Sequence, residues 1–268
     1  MAVCMNAAAQ TTEDYITRYN ALVARVGAAG VGVDYLLSRW ESADPVDVNH
    51  MVARFSYHLA KGQRDTVIQN SKANYMGRDA VVNLKDSLGR NVYYYSIPLF
   101  DQNEFADAIR AIDRAIQHDN TRLDLMMSKA DALVANETTT PDLATDAILR
   151  IIDDTFVKKA KWTFPGQENI TEDDVLDEIQ RYCYGFFNTY TDQANEAFKT
   201  VSERVLKYRP KNVSYINNMG AYYARKKDDK KALKYYKNAL KLDPNDVVAR
   251  QNVSLIERRA AAAKSGKK

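Results

Sequence analysis

Apolar residues recur at intervals of three and four positions over most of the chain, which is the spacing of an amphipathic α-helix. The first such run covers residues 12–26, and a second, shorter run covers residues 33–40. A third run follows Asp44 and Pro45, which we interpret as the N-cap and the first residue of a helix. The pattern predicts three helices before residue 62.

Near residue 80 the period changes from that of a helix to that of a strand. Residues 80–85 and 91–95 are rich in β-prone side chains, and a short segment that contains Gly89 joins them. We therefore predict a β-hairpin. Pro98 prevents a helix from running on directly after it.

Helical spacing returns after the hairpin. Asp101 followed by Glu104, and Thr171 followed by Asp174, are start signals for two of the helices. Between them, residues 162–166 are predicted to form a loop, from which we expect an aromatic side chain, that of Trp162 or Phe164, to insert into a core. The helical runs cover residues 101–116, 123–135, 141–160, 175–190 and 193–208.

Residues 213–244 have the spacing of a helix-turn-helix repeat of 34 residues. Small residues at three positions let two helices approach closely, aromatic residues fill the remaining volume, and a proline ends the second helix. The eight signature positions are Ile216, Met219, Gly220, Tyr223, Ala232, Tyr236, Ala239 and Pro244. On these residues the segment resembles a tetratricopeptide repeat (TPR), which implies an array of helical hairpins.

Weaker copies of the repeat precede this one. Ala108, Ile112 and Ala115 match positions of the second helix of the repeat, and Pro210 lies one repeat length before Pro244. Residues 245–259 are predicted to form a polar helix that caps the array.

We therefore predict an all-α fold, a TPR-like helical-hairpin array (α–α superhelix), with a small β-hairpin near residues 80–95. The predicted organisation has three parts. Residues 1–10 are a signal-peptide remnant or disordered, residues 11–100 are an N-terminal helical region with the hairpin, and residues 101–268 are the array with its capping helix and basic tail.

Composition and motifs give no indication of an enzyme. The chain has 268 residues, of which 46% are hydrophobic and 27% charged, as in ordinary globular proteins. Two cysteines, Cys4 and Cys183, form no disulfide framework, and no motif has zinc-ligand or phosphate-loop spacing. An enzyme built on adjacent carboxylates such as Asp153 and Asp154 is disfavoured, because neighbours on a helix point about 100° apart. We predict no cofactor, no metal and no catalytic residue.

The net charge of +3 conceals an asymmetry. Residues 1–199 hold 20 basic and 29 acidic side chains, whereas residues 200–268 hold 18 basic and 6 acidic ones. The basic end is able to attract nucleic acid or an anionic surface. The alternative is that its lysines only line the solvated side of one helix; they are Lys230, Lys231, Lys234, Lys237 and Lys241.

The first ten residues resemble the end of a secretory signal. A short apolar stretch leads to Ala7, Ala8 and Ala9, and Gln10 follows. This pattern predicts a periplasmic or exported protein. The alternative is a frayed terminus of a cytoplasmic protein.

The TPR resemblance implies a module that binds a protein or peptide of unknown identity on its concave face. There we expect Asn217 and Asn218 to be exposed and to hydrogen-bond a peptide backbone, and Arg225 to pair with a carboxylate. The preceding helix adds Tyr184 and Phe187. Packing or an unused surface is the alternative role of these residues. The alternative function is binding of nucleic acid or an anionic surface through the basic end.

A second resemblance concerns the first half of the chain. Residues 19–59, the hairpin and residues 99–126 resemble TPR-domain proteins of gut Bacteroidetes. This resemblance implies a fold but no activity. The pair Ala9 and Gln10 separately resembles the cleavage point of exported proteins of Bacteroidetes.

Overall fold

The computed structural model describes residues 12–137 and 140–265. The predicted signal remnant and the last residues of the basic tail lie outside these ranges. Contacts divide the described residues into two compact units. The first unit comprises the residues up to Gln69, Ser96–Asn136 and Thr163–Glu168, and the second comprises Asn70–Tyr95 with the described parts of residues 137–162 and 169–268. The predicted division after residue 100 stays a prediction.

Five helices form most of the first unit. They are α1 (Thr12–Val26), α2 (Val33–Ala43), α3 (Val48–Gly62), α4 (Gln102–His118) and α5 (Leu123–Asn136). Each packs against the next along the chain. At the centre of the α1–α3 cluster the indole of Trp40 stacks on the ring of Tyr15, with 5.8 Å between centroids. The helices predicted from the apolar periodicity are confirmed.

The predicted start of α3 is wrong. Asp44 ends α2, and its carboxylate accepts a bond from the backbone N–H of Val46 in a turn. Asp47 is the N-cap instead: its Oδ1 accepts from Asn49 N, and its Oδ2 accepts from the Trp40 indole at 2.8 Å. Both aspartates precede an apolar run, and the contact with Trp40 shows which of them serves as the cap.

A buried histidine adjoins this cluster. His50 has no exposed surface, and neither ring nitrogen has a hydrogen-bond partner among the described residues. Burial lowers the pKa of His50 below its ordinary value of 6.5; Arg54 and Arg114 lower it further, while Glu41 and Asp47 oppose the shift. Folding therefore holds this imidazole neutral.

Acid is expected to destabilise the protein through His50. As the pH falls, the unfolded chain takes up a proton at this histidine near pH 6.5, before the folded protein does. The stabilisation of the folded state by a neutral His50 is therefore complete above pH 6.5. It is lost as the pH falls further, through the pKa of His50 in the folded protein. We expect the melting temperature to fall between about pH 7.5 and about pH 5.5, and His50→Leu to reduce that fall. The exposed His118 provides the control, His118→Leu. Equal pH dependence in His50→Leu and the wild type would contradict the prediction.

The described residues after α3 include strands that form two small sheets. The strands are β1 (Gln63–Asn70), β2 (Asn74–Tyr75), β3 (Arg78–Asp79), β4 (Val82–Lys85) and β5 (Asn91–Phe100). The order β1-β5-β4 makes one sheet, and β2 pairs with β3. The predicted hairpin is confirmed as β4 and β5, with Val82 opposite Tyr94 and Lys85 opposite Asn91. Strands β1 to β3 were not predicted, because β1 is polar and mostly exposed and β2 and β3 have two residues each.

Within the described parts of the chain, the second unit contains six helices. They are α6 (Asp142–Phe156), α7 (Glu172–Thr189), α8 (Asp192–Tyr208), α9 (Val213–Arg225), α10 (Asp229–Leu242) and α11 (Val247–Ser265). From α7 to α11 each helix packs on the next, and α6 packs on α7 and α8. Helix α6 ends at Phe156, earlier than predicted. Trp162 is the aromatic residue of the predicted loop that is buried, and its indole donates to Thr155 Oγ1 at 2.9 Å, whereas Phe164 is 36% exposed.

The repeat predicted at residues 213–244 is the pair α9 and α10. Its signature residues Ile216, Ala232, Tyr236 and Ala239 form one buried cluster with two residues of α11. A Cβ placed on Gly220 would lie 2.6 Å from the ring of Tyr236, so the close approach of the two helices requires glycine there. The predicted fold class, a helical-hairpin array with a small hairpin of strands, is confirmed.

No helix among the described residues combines the length and the apolar character that crossing a bilayer requires.

Candidate functional site

A groove of about 360 Å³ runs along α9 in the second unit. Apolar and amide side chains from four helices line it, together with one guanidinium. The lining residues are Phe187 of α7; Asn217, Asn218, Ala221, Ala224 and Arg225 of α9; Tyr236 of α10; and Val248 and Asn252 of α11. Four of the five partner-binding residues predicted from the sequence thus meet at one concavity.

The predicted exposure of Asn217 is wrong. This residue is 7% exposed, and its Nδ2 donates to Asp246 Oδ1 at 2.9 Å. Asp246 Oδ1 also accepts from the backbone N–H of Ala249 at the start of α11. Asn217 therefore fixes the beginning of the capping helix. Its Oδ1 is buried without a hydrogen-bond partner in the described chain.

Asn218 is likewise 7% exposed rather than exposed as predicted. Its amide and that of Gln180 bond each other in both directions at 2.9 Å, and its Nδ2 reaches Ser202 Oγ at 3.2 Å. The exposure prediction failed because α7 and α8 cover this side of α9. The amide pair joins α9 to α7, and a role for Asn217 and Asn218 in binding a partner stays a prediction.

Arg225 holds the positive charge of the groove. Its guanidinium lies over the ring of Phe187, 3.4 Å from the centroid, and 4.7 Å from the ring centroid of Tyr190. It also donates to the backbone carbonyl of Phe187. Burial lowers the pKa of Arg225, and the only titratable group that opposes this shift among the described residues is Tyr190, not a carboxylate. The side chain is thus held by aromatic rings rather than by an acid.

Tyr184, the fifth predicted residue, lies apart from the groove. It is 71% exposed on α7 and is not among the lining residues. Tyr184 and Phe187 are three residues apart on α7 and therefore lie on neighbouring faces of the helix, but only Phe187 borders the groove. Val248 and Asn252 were not predicted, because their contribution depends on where α11 packs.

The thiol and the adjacent carboxylates that were considered for catalysis are either buried or engaged in contacts that hold the fold together. Burial raises the pKa of the Cys183 thiol to about 12, so the reactive thiolate is scarce at neutral pH. Asp153 binds Arg204 and Tyr208, whereas Asp154 pairs with Lys158 at 2.7 Å. These adjacent carboxylates therefore hold different partners.

One group in the first unit has the composition of a metal site. Ligand atoms of His58, Glu104 and Asp107 lie within 4.8 Å of one another. Glu104 already bonds His58 Nδ1 at 2.8 Å and Lys61 Nζ at 2.7 Å, and Asp107 pairs with Arg110. Glu104 therefore belongs to an ion-pair network between α3 and α4, and Asp107 belongs to an ion pair within α4.

The five lysines of α10 are all exposed. Four of them, at positions 230, 234, 237 and 241, fall on one stripe of the helix. Lys237 pairs with Glu257 of α11 at 2.8 Å, and Lys231 pairs with Asp228 at 3.4 Å.

Residues 213–246 match the family model of the tetratricopeptide repeat. The chain therefore contains a TPR, which confirms the resemblance predicted for that segment, and a TPR supports a role in protein–protein interaction. The comparison with curated proteins gives no match. This comparison therefore gives no support to the resemblance to Bacteroidetes proteins.

Proposed function

We propose that this TPR-containing protein is a non-enzymatic protein–protein interaction module that binds an extended peptide segment in the groove along α9. The observation that carries the proposal is the groove itself, which lies on the first helix of the matched repeat. Solenoid proteins use such concave surfaces for extended partners. An exported location remains part of the proposal, and identification of the native amino terminus tests it.

The lining suits a peptide. Ala221 and Ala224 leave space above α9, while the faces of Phe187 and Tyr236 offer apolar contact. Asn252 carries an amide that can bond a peptide backbone. A bound peptide segment therefore contacts both the apolar faces of the rings and the polar amide.

The buried amides position the walls of the groove. The Asn217 bond to Asp246 ties α9 to the start of α11, and the Asn218 bond to Gln180 ties α9 to α7. Replacing Asn217 with Ala should therefore lower stability, which makes this variant a poor probe of binding. A test of binding needs a position that faces the groove without holding its walls.

Ala221→Arg is such a test, because it adds a long side chain at a half-buried lining position. The probe is a displayed library of random peptides. We expect the wild type to enrich a set of related peptides and Ala221→Arg to lose at least about tenfold in affinity for them, the loss of roughly one well-made contact. Ala260→Arg, at an exposed position of α11 outside the groove, is the matched control and should retain them.

Two results would contradict the proposal. If the wild type enriches no related peptides, the groove has no peptide function. If Ala221→Arg retains them at full affinity while remaining folded, the peptides bind elsewhere. Circular dichroism of each variant establishes that it is folded.

The lysine stripe of α10 favours binding of nucleic acid or an anionic surface as a second candidate function. Such binding weakens steeply with salt, because each neutralised phosphate releases counterions. Peptide binding in the groove is expected to change little over the same range of salt, so the two functions are separable.

A further inference from the structure

A second concavity lies in the first unit, among α2, α3 and α4. Its volume is about 320 Å³, and its lining is mainly charged. The lining residues are Glu41, Arg54, His58, Asp107, Arg110, Ala111 and Arg114. Three guanidiniums and an imidazole therefore border one space, against two carboxylates.

Helix periodicity brings these cations together. Arg54 and His58 lie four residues apart on α3, and Arg110 and Arg114 lie four residues apart on α4. Because α3 packs directly on α4, the two pairs border the same space. Neither pair belongs to the repeat at residues 213–246.

The guanidiniums of Arg54 and Arg114 share one weak acidic partner. Glu41 Oε1 lies 3.4 Å from Arg114 Nη1, and Glu41 Oε2 lies 3.7 Å from Arg54 Nη2. Both distances exceed the 2.7–2.9 Å of a charge-assisted hydrogen bond. Glu41 therefore gives neither arginine a full-strength bond on this side.

The remaining bonds hold the arginines in position. Arg54 is anchored by Asp34 at 2.5 Å and by Ser38 Oγ at 2.9 Å. Arg114 Nη2 donates to the carbonyl of Pro45 at 3.3 Å, and Arg110 pairs with Asp107. These bonds limit the reorganisation that a ligand would have to impose.

The net charge of the lining favours binding of an anion over binding of a cation. The three arginines of the lining, set against Glu41 and Asp107, give it a formal charge of +1. A metal ion at His58, Glu104 and Asp107 would have to displace Lys61 and Arg110 and would face two more guanidiniums. An anion meets attraction from the same groups.

We propose that this concavity binds a phosphate group, either as the free ion or as a phosphate monoester. A tetrahedral phosphate presents oxygens in several directions and can accept from the planar forks of Arg54 and Arg114 together, with Arg110 at the more exposed edge. The bound phosphate takes the place of the long contacts to Glu41. A planar carboxylate offers only two oxygens and satisfies fewer of these donors.

The experiment titrates inorganic phosphate, phosphoserine and acetate separately into the full chain by isothermal titration calorimetry in a chloride buffer. We expect saturable binding of phosphate or phosphoserine with a dissociation constant of about 1 mM or below. Tighter binding of phosphoserine than of phosphate identifies a monoester as the ligand, and the reverse order identifies the free ion. Arg114→Gln should weaken binding roughly tenfold, the loss of one charged hydrogen bond.

Arg39→Gln is the matched control, because Arg39 is exposed on α2 outside the concavity. The affinity of this variant for phosphate should equal that of the wild type. If Arg114→Gln fails to fold, the more exposed Arg110→Gln replaces it. The proposal is overturned if the wild type shows no saturable binding, or if acetate binds as tightly as phosphate. It is also overturned if the folded arginine variant binds like the wild type, since the phosphate then lies elsewhere, for example on the lysines of α10.

Discussion

Gly220→Trp is expected to abolish the packing of the repeat hairpin and to unfold the carboxyl-terminal helices. A single Cβ at this position already lies 2.6 Å from Cε1 and 2.8 Å from Cδ1 of Tyr236, and the Tyr236 ring is itself buried. Overpacking of this kind costs about 1–3 kcal/mol for a small addition, and an indole adds far more volume. Gly220→Ala should therefore lower the free energy of unfolding by about 1–3 kcal/mol.

Gly185 provides the matched control on α7. It also lies within a helix, but a Cβ placed there meets nothing within 4 Å. Gly185→Ala should stabilise the protein by about 0.5–1 kcal/mol, because alanine loses less backbone freedom in a helix than glycine. Thermal melts followed by circular dichroism measure both effects. An unchanged melting temperature in Gly220→Trp would mean that α9 and α10 do not pack as described.

Trp40→Ala is expected to be the most destabilising single substitution in the first unit, at about 3–5 kcal/mol. The indole is 1% exposed, stacks on Tyr15 and donates to Asp47. Its removal leaves a cavity and also frees the carboxylate that caps α3. Trp40→Phe keeps part of the ring contact but lacks the hydrogen bond to Asp47. It should therefore lower the free energy of unfolding by less than Trp40→Ala does.

Denaturant titration followed by circular dichroism gives the size of this effect. Tyr35→Ala, on the same helix at a position that is 70% exposed, should change stability by less than about 0.5 kcal/mol. The chain has two tryptophans. In Trp40→Ala the tryptophan fluorescence, excited selectively over that of the tyrosines, therefore comes from Trp162 alone and reports on the second unit. Equal losses in Trp40→Ala and Tyr35→Ala would contradict the assignment of Trp40 to the core.

Elements that depend on local chemistry could be predicted from the sequence. The period of the apolar residues placed the helices, and the capping box of Thr171 and Asp174 placed the start of α7. The eight spaced positions of the repeat predicted the α9–α10 hairpin, because small and aromatic residues at those spacings pack two helices closely. The helical period and the cap are set by residues within one or two helical turns of one another, which a sequence shows directly. The repeat pairs residues of two helices, such as Gly220 and Tyr236, but its fixed length of 34 residues makes that pairing visible in the sequence as well.

The candidate site was predicted only in part. The sequence placed Phe187, Asn217, Asn218 and Arg225 on helices that meet, but it assigned Asn217 and Asn218 to an open surface. Their burial results from α7, α8 and α11, which lie against α9 and supply Gln180, Ser202 and Asp246 as partners. Side-chain exposure depends on what packs over a helix, and helix periodicity alone does not contain that information.

The sequence by itself determined the helices, the hairpin, the repeat and the charge difference between the two ends of the chain. Tertiary structure alone decided which polar side chains are buried, where the groove along α9 opens, and that arginines of α3 and α4 border one concavity with Glu41 of α2. The physical reason is the separation along the chain over which each kind of interaction acts. Helix propensity, capping and repeat spacing act between near neighbours, whereas burial and charge balance in a cavity are sums over residues far apart in the chain.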